Sequence, residues 1–372
     1  MATALDAEQS QGWGLRLKSA SASARTRAEI NLANSTHTPR GDSTLSILPG
    51  PSTRARAWSG EIAHDWLKEL LLGESDLAKK WPLSLGLTAR HEYAQFGYRS
   101  LGSSGQQGDY SSNSLAANLN IGVISGQLQF NQRSDNVDRN PNVLRNQSQS
   151  NSLNLNVPLA QIINPDAPPQ WAPSVAFNLS RNHTYADPSI IPSGQTLTNL
   201  PNVIATQQSL NLNWTLQKLN LGLQLSRAMQ DNEQVGSTAL DRHDHSQAFT
   251  LAYPLSDFLN LTTGAGQRRS VDSFSGVSNR GQTAQAGLSG QFGSGYQFNI
   301  NLSASHDWDS LATQDSRVQQ AQLQILKSFT LSQWGLKLPG QWALNYSTSK
   351  QQALGMLPVR MQTLGMTLNL TY

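Results

Sequence analysis

The sequence contains no cysteine and few charged residues. The absence of cysteine excludes disulfide bonds and metal sites built from thiolates. Charged residues make up 14% of the chain, whereas a typical soluble domain contains about 25%. Serine, asparagine, glutamine, threonine and glycine take the place of the missing charge. This composition requires a fold that tolerates many uncharged polar side chains.

The sequence also lacks long apolar segments. Hydrophobic residues make up 37% of the 372 residues, and the mean hydropathy is −0.43. No run of about 18 apolar residues occurs, so a membrane protein built of spanning helices is excluded. Three explanations remain open: a disordered or aggregating Asn/Gln-rich chain, a soluble β-solenoid or adhesin, and a membrane β-barrel whose second face meets water.

The chain has no broad basic region either. Its net charge of +3 comes from the first 60 residues, which hold seven basic and four acidic residues, while the remainder holds 20 of each. This distribution gives no electrostatic footprint for nucleic acid. Residues 1–12 lack the basic and apolar regions of a secretory leader. For an exported protein, we expect the leader to have been removed.

Apolar and polar residues alternate along most of the chain, which indicates β-strands with one apolar face. The clearest example runs from Leu115 to Val123 and turns at Ser125-Gly126 into a returning strand. The pattern predicts 14 strands from residue 82 onward and two or three before it. The earlier strands are predicted more weakly, at residues 11–19, 26–34 and 53–60.

The predicted connections alternate in length. Tight turns are predicted at 217–218, 254–257, 293–295 and 330–332, and long polar loops at 185–206, 231–244, 272–280, 309–316 and 347–357. This alternation of short turns and long loops is typical of outer-membrane barrels, in which the short turns are periplasmic and the long loops are extracellular.

The C-terminal segment carries the most specific pattern. Residues 364–372 read LGMTLNLTY, and one side of this strand is formed by Leu364, Met366, Leu368, Leu370 and Tyr372. The segment resembles the last strand of bacterial outer-membrane β-barrels, where an aromatic end after alternating apolar residues is the barrel-assembly signal. Leu364 stands where that family favours a polar residue.

The resemblance implies an all-β fold, a transmembrane antiparallel barrel. Barrels of this kind use even numbers of strands, so the count of predicted strands gives about 16, within a range of 14–18. The alternation of short and long connections places the C-terminus and short turns in the periplasm of a Gram-negative bacterium and the long loops outside. Outer-membrane lipid, lipopolysaccharide and the barrel-assembly machinery are the implied partners, and a periplasmic protein partner stays open. We expect residues 1–372 to form a single barrel, either alone or as the C-terminal part of a longer protein.

One segment departs from the alternation. Residues 61–72 place apolar side chains at helical spacing, with Ser59 as a possible N-cap and Gly73 as a stop. The apolar positions are Ile62, Trp66, Leu67, Leu70 and Leu71. This spacing predicts a short amphipathic helix within a periplasmic linker or plug at 61–80. We expect Trp66, Leu67, Leu70 and Leu71 to dock a partner or gate the pore.

Arginines in or near the predicted strands are the best candidates for a functional site. The pore-lining candidates are Arg90, Arg133, Arg181, Arg227, Arg268 and Arg317, with Arg269 beside them. Such side chains could favour anionic solutes. They could also contact lipopolysaccharide or stay solvated at the rim.

The sequence offers little support for catalysis. Asp241-x-His243 resembles the Asp/His pair of outer-membrane omptin proteases, but it falls in a predicted solvated loop. We therefore predict a non-enzymatic protein with no catalytic, cofactor or metal site. The leading function is a conduit for solutes or polymer across the outer membrane. The alternatives are a barrel component of an export or secretion assembly and, third, an outer-membrane hydrolase.

Overall fold

The structure is a computed structural model that describes residues 8–39, 52–70, 81–98, 108–196, 198, 200–235, 241–293, 295–333 and 336–370. Its strands are β1 (Glu8–Ala20), β2 (Thr26–Pro39), β3 (Thr53–Leu70), β4 (Leu83–Ala94), β5 (Tyr110–Ile121), β6 (Ile124–Asp135), β7 (Asn146–Pro158), β8 (Ser174–Ala186), β9 (Asn202–Leu216), β10 (Leu219–Asn232), β11 (Arg242–Ser256), β12 (Leu259–Asp272), β13 (Ser278–Phe292), β14 (Tyr296–Asp309), β15 (Asp315–Gln333), β16 (Leu336–Ala353) and β17 (Val359–Leu370). A short helix, α1 (Leu159–Ile163), follows β7. Within these described ranges, no helix is both long and apolar enough to cross a membrane.

The 17 strands belong to one sheet. From β1 to β7 and from β10 to β17, each strand pairs antiparallel with the next strand along the chain. The predicted all-β antiparallel fold class is therefore confirmed. Among the described residues the number of strands is 17, which lies within the predicted range of 14–18. The three weakly predicted N-terminal strands are present as β1, β2 and β3.

The chain forms two compact units. Unit 1 consists of Met1–Asn156, Asn178–Thr206 and Asp231–Ala239, and unit 2 consists of Val157–Phe177, Gln207–Gln230 and Leu240–Tyr372. Strands β1 to β6 lie in unit 1, and strands β11 to β17 lie in unit 2.

The strand register sorts side chains onto two faces in each unit. In unit 1, Leu85 pairs with Leu119 on one face, and Ser84 pairs with Asn120 on the other. In unit 2, Ile300 lies opposite Leu288 and Leu323 on the first face. We call the faces defined by these pairs the apolar face and the polar face. The separation follows from the two-residue period of a strand, because successive side chains point to opposite sides.

The connections are tight at one end of most hairpins. Residues 122–123, 217–218 and 257–258 connect their strands with two residues each. The turn at 293–295 uses two glycines with positive φ, Gly293 at 56° and Gly295 at 84°. A Cβ atom on Gly295 would lie 2.9 Å from the carbonyl oxygen of Ser328, so glycine fits both the backbone angle and the space there.

The predicted helix at 61–72 is wrong for residues 61–70, which belong to β3. Trp58, Gly60, Ile62 and His64 pair in a regular register with β4, but the register shifts between Asp65 and Leu67 and again between Leu67 and Leu70. Each such bulge inserts an extra residue and changes the face to which later side chains point. A strand with two bulges therefore produces the spacing of an amphipathic helix.

The functional roles predicted for this segment change accordingly. Trp66 lies in the first bulge and its side chain is exposed. Leu67 and Leu70 pair with Leu85 and Leu83 of β4. Leu71 and the remainder of the predicted 61–80 linker lie outside the described residues. A docking or gating helix formed by Trp66, Leu67, Leu70 and Leu71 is therefore incompatible with the strand, and the single helix found is α1 among the described residues.

Candidate functional site: charges on the two faces of the sheet

The polar face of unit 1 carries a row of charged residues across four strands. Lys18 of β1 lies opposite Glu29 of β2, Glu29 lies opposite Glu61 of β3, and Glu61 lies opposite Arg90 of β4. Arg16, Glu92 and Arg133 lie on the same face in the neighbouring row, two residues along their strands. These seven residues are referred to below as the charge ladder. Strand pairing alone places them side by side.

The charges of the ladder are mutually compensated. Arg16 Nε lies 2.7 Å from Glu29 Oε1, and Lys18 Nζ lies 3.5 Å from Glu29 Oε2. The Nδ2 of Asn31 also donates to Glu29 Oε1, at 2.9 Å. Arg90 Nη1 lies 3.5 Å from Glu61 Oε2. Each carboxylate of this part of the ladder therefore has a cationic partner.

Arg90 and Arg133 extend the ladder toward β6. Arg90 also forms a close ion pair with Glu92, two residues along β4. Arg133 of β6 lies with its guanidinium carbon 4.3 Å from the ring centroid of Tyr110, which is a favourable cation–π geometry. The ladder consequently fixes its long side chains on the polar face by charge pairing and stacking.

The polar face of unit 2 also carries ion pairs. Arg268 Nη2 of β12 lies 3.8 Å from Asp307 Oδ1 of β14. Arg242 Nε lies 2.9 Å from Asp244 Oδ2, both on β11. The face is otherwise dominated by amides and hydroxyls, as in the row in which Asn301 lies opposite Gln322.

The apolar face of unit 2 ends in a different arrangement. Arg227 of β10 lies opposite His245 of β11, His245 lies opposite Arg269 of β12, and Arg269 lies opposite Arg280 of β13. The next position in this row is Trp308 of β14. We call Arg227, His245, Arg269 and Arg280 the basic row. The basic row lies on the same face as Phe249, Leu288 and Leu302, whereas the charge ladder lies on a polar face.

The structure divides the predicted pore-lining arginines between the two faces. Arg90, Arg133 and Arg268 lie on the polar face. Arg227 and Arg317 lie on the apolar face, opposite His245 and His306. Arg181 of β8 follows the same alternation as Val175, Phe177 and Leu179 and is therefore on their side of the strand. Within unit 1, the structure thus brings Arg90 and Arg133 together on the polar face.

The loop predicted at 231–244 extends too far toward the C-terminus. β11 begins at Arg242, so His243 and His245 are strand residues on the apolar face and Asp244 lies on the polar face. The sequence pattern missed this because charged residues replace apolar ones at the end of the strand. Within the described ranges, no group of three or more His, Asp or Glu side chains could hold a metal ion.

Comparison with known proteins gives matches only to solved structures. No protein-family model and no curated protein matches the sequence. The fold is similar to the outer membrane transporter YddB of Escherichia coli, with a TM-score of 0.45 and 9% identity, over 92% of this chain and 55% of that chain. The chain therefore spans about half the length of that transporter.

Two further solved structures are similar. An anion-selective porin from Comamonas acidovorans has a TM-score of 0.31 and 12% identity, with 97% of this chain and 99% of that chain covered. CdiB from Acinetobacter baumannii has a TM-score of 0.36 and 12% identity, with 98% of this chain and 66% of that chain covered. At these scores the similarity assigns no residue, solute or partner to this chain.

The alternation of residues along the strands also indicates the face on which the basic row lies. Leu219, Leu221, Leu223 and Leu225 alternate along β10, and counting on by two reaches Arg227. The same count along β13 leads from Leu288 back through Ala286 and Ala284 to Arg280, which was not among the predicted site residues. Strand parity alone therefore separates the arginines by face.

Proposed function

We propose that the chain is a β-barrel of the bacterial outer membrane and forms a conduit for solutes or polymer. In this proposal the apolar face meets lipid, and the polar face lines a water-filled path. Backbone groups in a bilayer must all be paired, which only helices and closed barrels achieve. The antiparallel order of the strands, with tight turns at one end of most hairpins, fits this requirement.

The observation that carries the proposal is the contrast between the two faces of the same strands. On β14, Phe298, Ile300 and Leu302 lie on one face, and Asn299 and Asn301 lie on the other. Leu302 is 50% exposed, so apolar side chains remain uncovered within the described chain. A soluble sheet normally places charge on its uncovered face, whereas a membrane barrel places apolar residues there.

Aromatic residues at the tight-turn end of unit 2 support a membrane boundary. Phe292 stacks on Tyr296 at 5.2 Å between ring centroids, and Trp342 packs edge-on against Tyr296 at 6.4 Å. Lys327 Nζ donates a hydrogen bond to the Tyr296 hydroxyl at 2.8 Å. Aromatic rings with a polar tip and a nearby lysine are typical of the membrane interface.

The charge ladder is the proposed selectivity element of the conduit. Its side chains include four cations, Arg16, Lys18, Arg90 and Arg133, and three carboxylates, Glu29, Glu61 and Glu92. Charged rings inside a pore set ion preference through their local potential. Replacing Glu61 and Glu92 by glutamine leaves the arginines uncompensated, and we expect this variant to prefer anions more strongly than the wild type.

The test is single-channel recording in a planar bilayer. We expect the wild-type chain to form discrete open states, and the Glu61→Gln/Glu92→Gln variant to shift its reversal potential in a KCl gradient toward chloride. The matched control is Asp307→Asn on the polar face of unit 2, which should shift it less. If folded, inserted protein never conducts, the conduit proposal fails.

A second function, docking of a periplasmic partner in an export assembly, is favoured by one observation. The connections 217–218 and 257–258 have two residues each. The connection 159–173 lies at the same end of the strands but is much longer, contains α1, and exposes the side chains of Ile163 and Trp171. It is also ordered by hydrogen bonds: the Gln217 amide donates to Gln170 Oε1 at 3.0 Å, and the Leu159 amide donates to the Pro173 carbonyl at 3.1 Å.

The docking function predicts a partner that depends on these two side chains. Affinity purification from the native envelope should recover a periplasmic protein with the wild type and not with Ile163→Ser/Trp171→Ser. Phe274→Ser, at an exposed apolar side chain in the 273–277 connection at the other end of the unit 2 hairpins, is the control. Equal recovery by all three proteins would exclude this surface as the docking site.

A further inference from the structure

The basic row lacks the compensation seen on the polar faces. Among the described residues, the structure records no ion pair for Arg227, Arg269 or Arg280. Arg269 and Arg280 lie directly opposite each other on adjacent strands, where like charges destabilise a sheet. The next carboxylate in the row, Asp315, contacts His306 at 3.1 Å and Arg317 at 3.5 Å instead. An external anion between the guanidinium groups would remove the repulsion.

The depth of the basic row matches that of lipid head groups. On β13, 12 residues separate Arg280 from Phe292, which belongs to the aromatic cluster at the other end. This separation is about 40 Å along the strand at about 3.3 Å per residue. A strand tilted by about 45° would thus span roughly 28 Å of bilayer thickness, close to the roughly 30 Å of the hydrocarbon core.

A tier of glutamines lies between the basic row and the apolar band. Gln247, Gln267 and Gln282 lie opposite one another on β11, β12 and β13. Gln267 Nε2 donates to Gln247 Oε1 at 3.1 Å. All three line a pocket of about 480 Å³ together with His245, Arg269, Arg280 and Trp308. Amides at this level can bond the ester, amide or sugar oxygens of a lipid.

The next row toward the apolar band forms a groove because its side chains are small. Ala265 lies opposite Ala284, and Ala284 lies opposite Ala304. Leu223 and Phe249 lie beside this alanine floor, and the resulting cavity has a volume of about 730 Å³. The glutamine tier also lines it, so the groove and the basic pocket are continuous. Along the strands, the surface therefore changes from an apolar groove to a tier of amides and then to a row of cations.

We infer that this surface binds one phosphorylated, multiply acylated lipid of the lipid A type. Its phosphates would contact Arg269, Arg280 and the flanking members of the basic row, and one acyl chain would lie on the alanine floor. The inference rests on the proposed membrane function. The five-residue connections 273–277 and 310–314 lie at this end, and the orientation expected from the sequence, with short turns in the periplasm, places them at the outer leaflet. Charge complementarity therefore selects an anionic lipid of that leaflet.

The test uses the full chain, purified and refolded in detergent, and native mass spectrometry with lipid A bearing two phosphates. We expect one retained lipid per chain. Arg269→Gln/Arg280→Gln should weaken retention by at least about tenfold, because charge-assisted hydrogen bonds are lost. Ala284→Phe should weaken it by filling the groove. Arg242→Gln, on the polar face of β11 and outside the lining of both the pocket and the groove, should retain lipid A as the wild type does.

Three results would overturn the inference: equal retention by the double variant, equal retention of lipid A stripped of its phosphates, or displacement of lipid A by millimolar inorganic phosphate. The last result would assign the row to a free anion. Each protein is first checked for a folded band that shifts on heating and for protease-protected insertion into phosphatidylcholine vesicles. Failure of the wild type at this step overturns the membrane proposal, whereas normal insertion with unchanged lipid binding overturns only the lipid site.

Discussion

The charge ladder of unit 1 and the basic row of unit 2 use similar residues in opposite surroundings. In the ladder, Arg90 has Glu61 and Glu92 as partners. In the basic row, Arg280 faces Arg269 across the strand pair. The first arrangement pairs opposite charges within the protein, and the second leaves like charges facing each other. In the proposed function the two faces meet different media, with solutes passing the ladder and lipid head groups meeting the row.

The largest expected effect tests the assignment of the faces. Leu302→Arg places a cation in the middle of the apolar band, and an arginine at the bilayer midplane costs about 2–4 kcal/mol. We expect Leu302→Arg to lower the free energy of unfolding in lipid vesicles by that amount, measured by urea titration of tryptophan fluorescence.

Ser303→Arg is the matched control for this change. Ser303 is the next residue along β14 and lies on the polar face, opposite Gln285 and Gln320. We expect its substitution to be nearly neutral, because the side chain would reach water. Equal losses from the two substitutions would remove the distinction between the faces.

A charge reversal in each unit gives a smaller effect with opposite signs. Arg280→Glu converts a like-charge pair into an opposite-charge pair, and we expect it to stabilise the protein in lipid-free detergent by about 0.2–1 kcal/mol. Arg90→Glu would place three carboxylates together and should destabilise it by about 0.2–1 kcal/mol, as expected for partly exposed pairs. Unfolding midpoints at low salt measure both, and matching signs would contradict the comparison.

The smallest effect concerns a loop of unit 1 and its dependence on pH. Asp187 Oδ1 accepts hydrogen bonds from the hydroxyl and the amide of Ser189, at 2.7 and 3.0 Å. These bonds, followed by the charge of Arg145, lower the pKa of Asp187 below its usual value near 3.8. A lowered pKa means that the loop gains stability above the usual value and loses it as the pH falls through the lowered one.

Hydrogen exchange of residues 187–196, corrected for intrinsic rates, measures this loss. We expect protection to be constant from pH 7 to pH 5 and to fall below about pH 4. Asp187→Asn should show reduced protection at neutral pH and little change on acidification. A wild-type loop that loosens already at pH 6 would point to another titrating group.

Strand alternation made much of the fold predictable. The hairpin formed by β5 and β6 follows directly from Leu115, Leu119, Leu128 and Phe130, because one uncovered apolar face requires a strict two-residue period. The same rule fails in β3, where bulges near Leu67 shift the period and imitate a helix. Sequence periodicity detects the average repeat of a segment, and an inserted residue changes that repeat without changing the type of element.

The candidate sites were less predictable, because they depend on register as well as on period. Arg90 and Arg227 both stand in strands, and parity shows that they face opposite sides. Parity cannot show that Arg227, His245, Arg269 and Arg280 fall in one row, since this requires the lengths of three successive connections. The end of β11 was also hidden, because Arg242 and Asp244 have the composition of a loop.

The run of seven strands from β11 to β17 in unit 2 has a consequence for access to the chain. Each of these strands is antiparallel to the next, so β11 and β17 run the same way. If β17 ends on the periplasmic side, as expected from the sequence, the connection 273–277 faces the outside and the connection 257–258 faces the periplasm. An epitope inserted in 273–277 should consequently be reached by antibody on intact cells, and one inserted at 257–258 should be reached only after the outer membrane is opened.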